Sequence, residues 1–394
     1  MIPTTLLKDL RVLDLSRLLP GPFCSMVLAD HGARILKLEA PGEGDYIRSW
    51  EPKVDNYSAL FLAVNRNKKS LTLDLKTELG QEIFFRLVRE YDVVLESFRP
   101  GVMSRLGIDY HKAKKVNEKI IYCSITGYGQ FGPEAQKAGH DLNYLAESGI
   151  LHTSGCADGQ PVVPGIQVAD IGGGALYAVN AILMAYIAVQ RGETGAHLDI
   201  SMTDGLVSMF SLLSAYFFAQ GRDPGPNETT FNGGQADYQV YETSDNHYMA
   251  LGALEEKFWH NFCEAIDRPD LIGRQQGDGK AQGQLIQELK DIFSRRTINE
   301  WQVLLEGKNT CCEPVVSFGD VAANEHFRAR NMFYDLDLPD GGSIRQLNSA
   351  IMVDGQKRLD HQFPPGLGEH TEETLESLGY SIAEIQSFQQ QGIV

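Results

Sequence analysis

The sequence predicts an α/β protein with a large doubly wound parallel sheet and a second, smaller α+β domain. Strand-like and helix-like segments alternate in the first half of the chain, and the strand-like segments are largely apolar. A run rich in glycine, proline and asparagine, GRDPGPNETTFNGGQ at 221–235, then interrupts the alternation. Apolar strands separated by amphipathic helices are typical of a parallel sheet covered on both faces, and the interruption indicates a linker.

The elements of the predicted sheet domain follow in a regular order. The strands are LRVLDLS, ARILKLEA, SLTLDL, DVVLESF and KIIYCSIT, and the helices between them include GPFCSMVLADHG and TELGQEIFFRLVREY. Two apolar helical segments start near Gly172 and Thr203. We therefore assign residues 1–220 to the first part of the large domain.

The remainder of the chain predicts a small domain and a returning tail. DYQVYET and NHYMALGAL form a predicted hairpin on Asp245 and Asn246, followed by helices to about Arg330. A strand and a terminal helix follow Ser343, and the apolar spacing of this helix suits docking on the large domain. The predicted boundaries are 221–330 for the small domain with its linkers and 331–394 for a segment that completes the large domain.

Composition restricts the partners of the protein. The 394 residues carry a formal net charge of −17, and an acidic surface repels phosphate backbones, so no nucleic-acid partner is expected. An anionic ligand therefore needs a local basic pocket. Six thinly spread cysteines, Cys156 among them, include no CxxC pair, and the start of the chain lacks signal-peptide features, which together predict a cytoplasmic protein. The apolar runs at 175–189 and 205–219 fall short of a membrane span, so no membrane partner is expected.

Familiar catalytic motifs are missing from the sequence. There is no HExxH, no Cys–His ligand cluster, no GxSxG and no GxxxxGK[ST], so we predict no metal site. GYGQFG at 127–132 matches GxGxxG and follows a strand, but Pro133 and a charged stretch come next where a dinucleotide site needs a helix. We therefore interpret this stretch as a turn.

Three other stretches combine ionisable side chains with helix starts. In AGHDLNYLAESGIL, residues 138–151, His140 and Asp141 either cap a short amphipathic helix or carry chemistry. Asp170 precedes three glycines in VADIGGGALYAVNAIL, residues 168–183. One interpretation is that Asp170 caps the helix and the glycines allow close helix packing. The other is that Asp170 is a base, and that exposed N–H groups beside it stabilise an anion. In GALEEKFW, Glu255 either favours a helix start or supports a histidine.

In their order and spacing these stretches resemble the class III CoA-transferase family, and more narrowly its α-methylacyl-CoA racemase branch. The resemblance is carried by LRVLDLSRLLPGPFCSMVLADHGARILKLE, NRNKKSLTLDLK, ESFRPGVMSRLG, TGYGQFGPEAQKAGHDLNYLAESGIL, ADIGGGALY and GALEEKFW. It implies a large α/β domain made from both chain ends, a smaller domain between them, and two subunits interlocked as a homodimer. It also implies a CoA ester bound in a cleft.

The resemblance assigns roles to individual residues. It implies that His140 and Asp170 are catalytic bases and that Glu255 supports the histidine. Arg105 matches a CoA-contacting arginine. The other residues implied at the CoA site are Leu73, Asp74, Leu75, Lys76, Ser97, Gly139, Asp141, Leu142, Asn143 and Tyr144. Arg99 is a further candidate because it lies close to Arg105 in the sequence.

The predicted activity is inversion of the α-carbon of 2-methyl-branched or related acyl-CoA thioesters, a reaction of lipid metabolism. Two bases must flank the carbon, one removing its proton and the other delivering a proton to the opposite face. No cofactor is expected beyond the CoA moiety of the substrate. The alternative is a CoA-transferase that forms an anhydride between Asp170 and the acyl group. A third hypothesis, a non-catalytic acyl-CoA-binding protein, does not require His140, Asp170 and Glu255 together.

Overall fold

The computed structural model describes residues 6–155 and 159–394, so Cys156 and the first five residues lie outside the described part. The chain divides into two compact units. The first consists of Met1–Leu145, Ile166–Met209 and Glu325–Val394, and the second of Ala146–Gly165 and Phe210–Asn324. The second unit thus begins and ends earlier than the small domain predicted at 221–330, and it includes a short segment that precedes Ile166.

Strands and helices alternate through the first part of the chain. The strands are β1 (Arg11–Asp14), β2 (Arg34–Glu39), β3 (Lys53–Val54), β4 (Tyr57–Ser58), β5 (Lys68–Thr72), β6 (Val93–Glu96), β7 (Ile121–Thr126), β8 (His197–Ser201), β9 (Tyr238–Glu242), β10 (Tyr248–Gly252), β11 (Cys312–Pro314), β12 (Phe333–Asp337) and β13 (Ser343–Leu347). The α-helices are α1 (Pro20–Asp30), α2 (Ala59–Asn65), α3 (Glu78–Glu90), α4 (Val102–Arg105), α5 (Tyr110–Val116), α6 (Asp141–Glu147), α7 (Ile150–Thr153), α8 (Tyr177–Gln190), α9 (Met202–Met209), α10 (Ser211–Gln220), α11 (Glu256–Ala265), α12 (Gly279–Phe293), α13 (Ile298–Leu305), α14 (Phe318–Ala323), α15 (Glu325–Ala329), α16 (Thr371–Ser377) and α17 (Ile382–Gln390). A π-helix, Ala169–Leu176, leads directly into α8.

A six-stranded parallel sheet organises the first unit, which confirms the predicted α/β class. Its order is β5-β2-β1-β6-β7-β8, so the chain moves outward in one direction from β1 and then in the other from β6. Such a reversal is the mark of a doubly wound sheet. The sequence did not predict β8, because its burial alternates along HLDIS and lacks the continuous apolar run of a central strand.

The C-terminal tail packs into the core of the first unit. Leu375 of α16 and Ile385 and Phe388 of α17 are buried in one cluster with residues of β1, β6 and α3. A glycine in left-handed conformation, Gly379, separates the two helices where the sequence predicted one. This apolar contact fixes the end of the chain against the sheet.

The second unit has its own core around a three-stranded antiparallel sheet of order β11-β10-β9. The predicted hairpin is present as β9 and β10, and Asn246 takes a left-handed conformation in its turn. Trp259, Phe262, Phe293 and Trp301 are buried beneath the sheet. The core is therefore aromatic and independent of the parallel sheet.

The apolar helix after residue 168 is longer than the sequence indicated. We predicted that the run at 175–189 falls short of a membrane span, but the π-helix and α8 form one continuous helix, Ala169–Gln190, that has the length and hydropathy to cross a bilayer. The expectation was wrong on length because the glycines preceding the run are helical as well. Core helices of proteins without a membrane span share these properties, and Ala178, Val179 and Ile182 of this helix are buried.

Candidate active site

A cleft of about 820 Å³ opens at the carboxyl ends of the central strands of the first unit. Its walls include Arg17 and Leu18 after β1, Ser97 to Pro100 after β6, and the end of β7. β1 and β6 are the neighbours at which the winding of the sheet reverses. In open parallel sheets the diverging loops leave a crevice at this point, and ligands bind there.

His140 reaches the cleft from the segment that precedes α6. Asn143 accepts a hydrogen bond from the backbone N–H of His140 at 3.0 Å, and the Tyr144 hydroxyl donates to the carbonyl of Gly139 at 2.6 Å. A Cβ on Gly127 or Gly139 would lie 2.4 or 2.6 Å from the Tyr144 ring. The two glycines therefore admit the ring that holds the histidine-bearing segment against β7.

Asp170 enters the same cleft from the first turn of the π-helix. The sequence left open whether the helix start at Asp170 leaves N–H groups free for a ligand oxygen. Two N–H groups of this start are occupied, because those of Ala169 and Asp170 donate to the Asp141 carboxylate, at 2.7 and 3.0 Å. Gly173 is buried against α9, where a Cβ would lie 2.5 Å from the carbonyl of Met202. Close helix packing, one of the two interpretations left open, thus explains this glycine.

The environment of Asp170 favours its protonated form. Burial, together with the nearby negative charge of Asp141, raises the pKa of Asp170 to about 7. Burial and the proximity of Asp170 likewise raise the pKa of the Tyr144 phenol to about 12. A carboxyl group with a pKa near the working pH exchanges protons efficiently, and such shifts concentrate at functional sites.

Three arginines line the cleft: Arg17, Arg99 and Arg105. None of the ion pairs found in residues 6–155 and 159–394 involves any of them. Guanidinium groups bind phosphate oxygens in bidentate fashion. The cleft thus supplies the local basic pocket that an anionic ligand of this acidic protein requires.

Arg17 was not among the site residues predicted from the sequence. Its guanidinium lies over the rings of Tyr46 and Phe98, at 5.0 and 5.3 Å from their centres, and donates to the Tyr46 hydroxyl at 2.7 Å. All three side chains line the cleft. The signal for Arg17 was its position directly after the first strand of a parallel sheet, where ligand-binding loops begin.

A buried ion pair supports the loop that carries Arg17. Leu18 takes a left-handed conformation with φ of 64°, and its N–H donates to Asp45 at 3.1 Å. Lys37 pairs with Asp45 at 2.9 Å and donates to the carbonyl of Ser16 at 2.8 Å. Burial opposes the charge on Lys37, but Asp45, Asp14 and Glu39 raise the pKa of its ammonium above the usual value.

The cleft contains most of the predicted site residues that belong to the first unit. Those that line it are Ser97, Arg99, Arg105, Gly139, His140, Asn143, Tyr144 and Asp170. The predicted residues that do not line it are Leu73, Asp74, Leu75, Lys76, Asp141 and Leu142. Glu255 belongs to the second unit, where it precedes α11 with an exposed side chain. Its support of His140, like the CoA contacts of Leu73 to Lys76, stays a prediction.

A second cavity of about 130 Å³ lies beside β6, β7 and β8. It is lined by Glu96, whose pKa is raised to about 7, mainly by burial. Glu96 accepts the N–H of Phe98 at 2.7 Å, and the Ser124 hydroxyl lies 3.0 Å from Nε2 of His197. Since Arg99 lines both this cavity and the cleft, the buried carboxyl supports the loop that forms one wall of the cleft.

The fold and site define a doubly wound α/β protein with an arginine-lined cleft that contains His140 and Asp170. Residues 7–371 match the model of CoA-transferase family III, and the chain belongs to this family. This confirms the resemblance seen in the sequence. Members similar to this chain are named as racemases and as CoA-transferases, the two enzyme classes that the sequence predicted.

Curated relatives align with nearly the whole chain. Succinyl-CoA:glutarate CoA-transferase of Homo sapiens is 33% identical over 395 residues, covering 98% of this chain and 90% of that protein. Alpha-methylacyl-CoA racemase of Homo sapiens is 31% identical over 389 residues, covering 98% and 97%. The crystal structure of a CAIB/BAIF family protein from Brucella suis matches with a TM-score of 0.81 and 31% identity over 95% of this chain and 99% of that one.

Proposed function

We propose that this enzyme inverts the α-carbon of 2-methyl-branched or related acyl-CoA thioesters by transferring protons between two bases, His140 and Asp170. The observation that carries the proposal is the presence of both side chains in one cleft, with the pKa of Asp170 raised to about 7. At neutral pH such a carboxyl is ionised in part of the molecules and protonated in the others. It can therefore act as a base in one direction and as an acid in the other.

In the proposed reaction the thioester carbonyl makes the neighbouring C–H bond acidic. Asp170, as a carboxylate, removes the proton from one face, and the electron pair of the broken bond is delocalised onto the thioester oxygen. The imidazolium of His140 then donates a proton to the other face of the same carbon, and the carbonyl reforms. The reverse direction starts with neutral His140 and protonated Asp170, so each inversion exchanges the protonation states of the two bases.

The CoA moiety is assigned to the arginine-lined wall of the cleft. Arg105 was expected there from the resemblance and Arg99 from its nearby position in the sequence, and Arg17 adds a third arginine. Charge-assisted bonds from these guanidinium groups suit the phosphates of CoA. We further propose that the enzyme works in the cytoplasm without a metal or a redox cofactor.

A transfer of CoA between acids is the second candidate, and similarity to succinyl-CoA:glutarate CoA-transferase favours it. That reaction uses Asp170 as a nucleophile, which must be ionised to attack the thioester. The high pKa of Asp170 makes the ionised form scarcer at neutral pH. The histidine has no required part in that attack.

Incubation of the purified enzyme with a single enantiomer of 2-methylacyl-CoA in heavy water, without any acceptor acid, tests the proposal. Formation of the opposite enantiomer with deuterium at C2 is the expected result. The transferase predicts no exchange until an acceptor acid is added, and then formation of its CoA ester. Hydroxylamine would in that case attack the activated Asp170 carbonyl, expel the bound group and leave a hydroxamate at Asp170, an outcome that would refute the racemase.

We also propose a homodimer. Met184 and Ile187 of α8 and Val207 of α9 are apolar and more than half exposed, at 69, 51 and 57%. Exposed apolar surface of this kind is typical of subunit interfaces. Light scattering at micromolar concentration should give twice the chain mass of 43.7 kDa, and the mass of a single chain would contradict the proposal.

A further inference from the structure

Asp141 connects the two segments that carry the proposed bases. Its Oδ1 accepts hydrogen bonds from the N–H groups of Ala169 and Asp170, at 2.7 and 3.0 Å. Asp141 directly follows His140 and is the first residue of α6. One carboxylate oxygen thus joins the histidine-bearing segment to the first turn of the π-helix, although 29 positions separate Asp141 from Asp170.

These two bonds fill a specific need of the helix start. The first N–H groups of a helix have no acceptor within the helix, and no side chain of the preceding residue, Val168, caps this one. A carboxylate is the favoured acceptor at this position because it interacts with the helix dipole, and its bonds to N–H groups are charge-assisted. Asp141 therefore serves as the cap of a helix that begins far away in sequence.

Asp141 also acts on Asp170 through its charge. After burial, its charge is the second contribution to the raised pKa of Asp170. The other ionisable groups on the cleft walls are Arg17, Tyr46, Arg99, Arg105, Lys137, His140 and Tyr144. In the helix packed against the glycines, α9, the acidic residue is Asp204, which accepts a hydrogen bond from Ser201 at 2.9 Å.

We propose that Asp141 is a positioning residue for Asp170, fixing the first turn of the π-helix to the histidine-bearing segment and keeping a negative charge beside the second base. Asp141 itself does not line the cleft, so it acts through Asp170 and not on the substrate. The CoA contact expected for it from the resemblance is not needed for this role. The part of the proposal that concerns catalysis rests on the racemase function proposed above.

Two substitutions separate the geometric effect of Asp141 from its electrostatic effect. Asp141→Asn keeps an oxygen that accepts the two N–H bonds but removes the charge, whereas Asp141→Ala removes both. The titration of Asp170 is followed by ¹³C NMR of labelled aspartate carboxyl groups, with Asp170→Asn identifying the resonance. We expect the Asp170 inflection to fall by about one pH unit in Asp141→Asn, and the acidic limb of the pH profile for α-proton exchange to fall with it.

Asp199→Asn is the matched control. Asp199 also accepts a backbone N–H, that of Gln130, with both oxygens at 3.0 Å, but its charge does not contribute to the shift of Asp170. We expect this variant to leave the Asp170 inflection where it is in the wild type. We expect Asp141→Ala to lose more exchange activity than Asp141→Asn at the optimal pH of each.

An unchanged Asp170 inflection in Asp141→Asn, with exchange reduced equally at every pH, would overturn the proposal and leave Asp141 a purely structural residue. The NMR titration needs no turnover. It therefore tests the link between the two carboxyl groups even if the wild-type enzyme fails to exchange the α-proton, which would refute only the proposed reaction.

Discussion

The buried Glu96 makes the stability of the first unit depend on pH in a direction that can be worked out from its surroundings. Its pKa is raised from 4.5 to about 7, first by burial and then by the charge of Asp199, while a Ser124 hydrogen bond opposes the shift. Between these two values the native protein holds a proton that the unfolded chain has lost. Stability therefore decreases as pH rises through this range and levels off above it.

The substitution Glu96→Gln removes this titration with little change in shape. The glutamine oxygen can still accept the N–H of Phe98, which Glu96 accepts at 2.7 Å. A pKa difference of one unit corresponds to about 1.4 kcal/mol. Integrated over the shift, the stability of Glu96→Gln relative to the wild type should increase by about 2 to 3 kcal/mol from about pH 5 to about pH 8.

Urea unfolding followed by circular dichroism at several pH values measures this difference in the free energy of unfolding. Other titrating groups affect both proteins equally and cancel in the difference. Glu118→Gln, at an exposed position of the same unit, provides the control and should show no such trend. A difference between Glu96→Gln and wild type that stays constant with pH would refute the argument that Glu96 is protonated in the native protein.

Two further substitutions test the cleft and its support. Arg105→Ala should raise KM for the acyl-CoA roughly tenfold to a hundredfold with little change in kcat, because a charge-assisted phosphate contact is lost. The control Arg34→Ala, at the amino end of β2, should leave KM unchanged. Equal KM values for both variants would contradict the assignment of Arg105 to CoA. Gly205→Ala should destabilise the protein by about 1 to 3 kcal/mol, because its Cβ would lie 2.2 Å from the carbonyl of Gly173. Calorimetry measures this loss of stability. The control Gly283→Ala should show none, since nothing lies within 4 Å of a Cβ at that position.

The sequence predicted the elements whose pattern is local. β1, β2, β6 and β7 are short runs rich in apolar residues, and a run of this kind needs no knowledge of its neighbours to be recognised as a buried strand. β8 was missed because it lies at the sheet edge, next to β7 alone, and its sequence alternates. The π-helix was also missed, since its glycines resemble a helix start until their contacts with α9 are known.

The residue types of the candidate site were predictable from the sequence, but the hydrogen bonds and the burial that link these residues were not. His140 and Asp170 were identified from motifs, and the structure brings both to one cleft. The bond between Asp141 and the Asp170 backbone, and the burial that raises the pKa of Glu96, depend on residues distant in sequence. Arg17 was overlooked because its one signal, a position after the first strand, becomes specific only when the strand order places that strand at the reversal of the sheet.

The division of the two proton transfers between His140 and Asp170 can be measured most directly with single enantiomers in heavy water. If each base serves one face of the α-carbon, His140→Ala should exchange the α-proton of one enantiomer only, Asp170→Asn should exchange that of the other, and neither should invert the centre. Proton NMR of the C2 position in each of the four combinations gives the answer. Opposite preferences in the two variants are the predicted result, and equal loss of exchange for both enantiomers in both variants would contradict the two-base account.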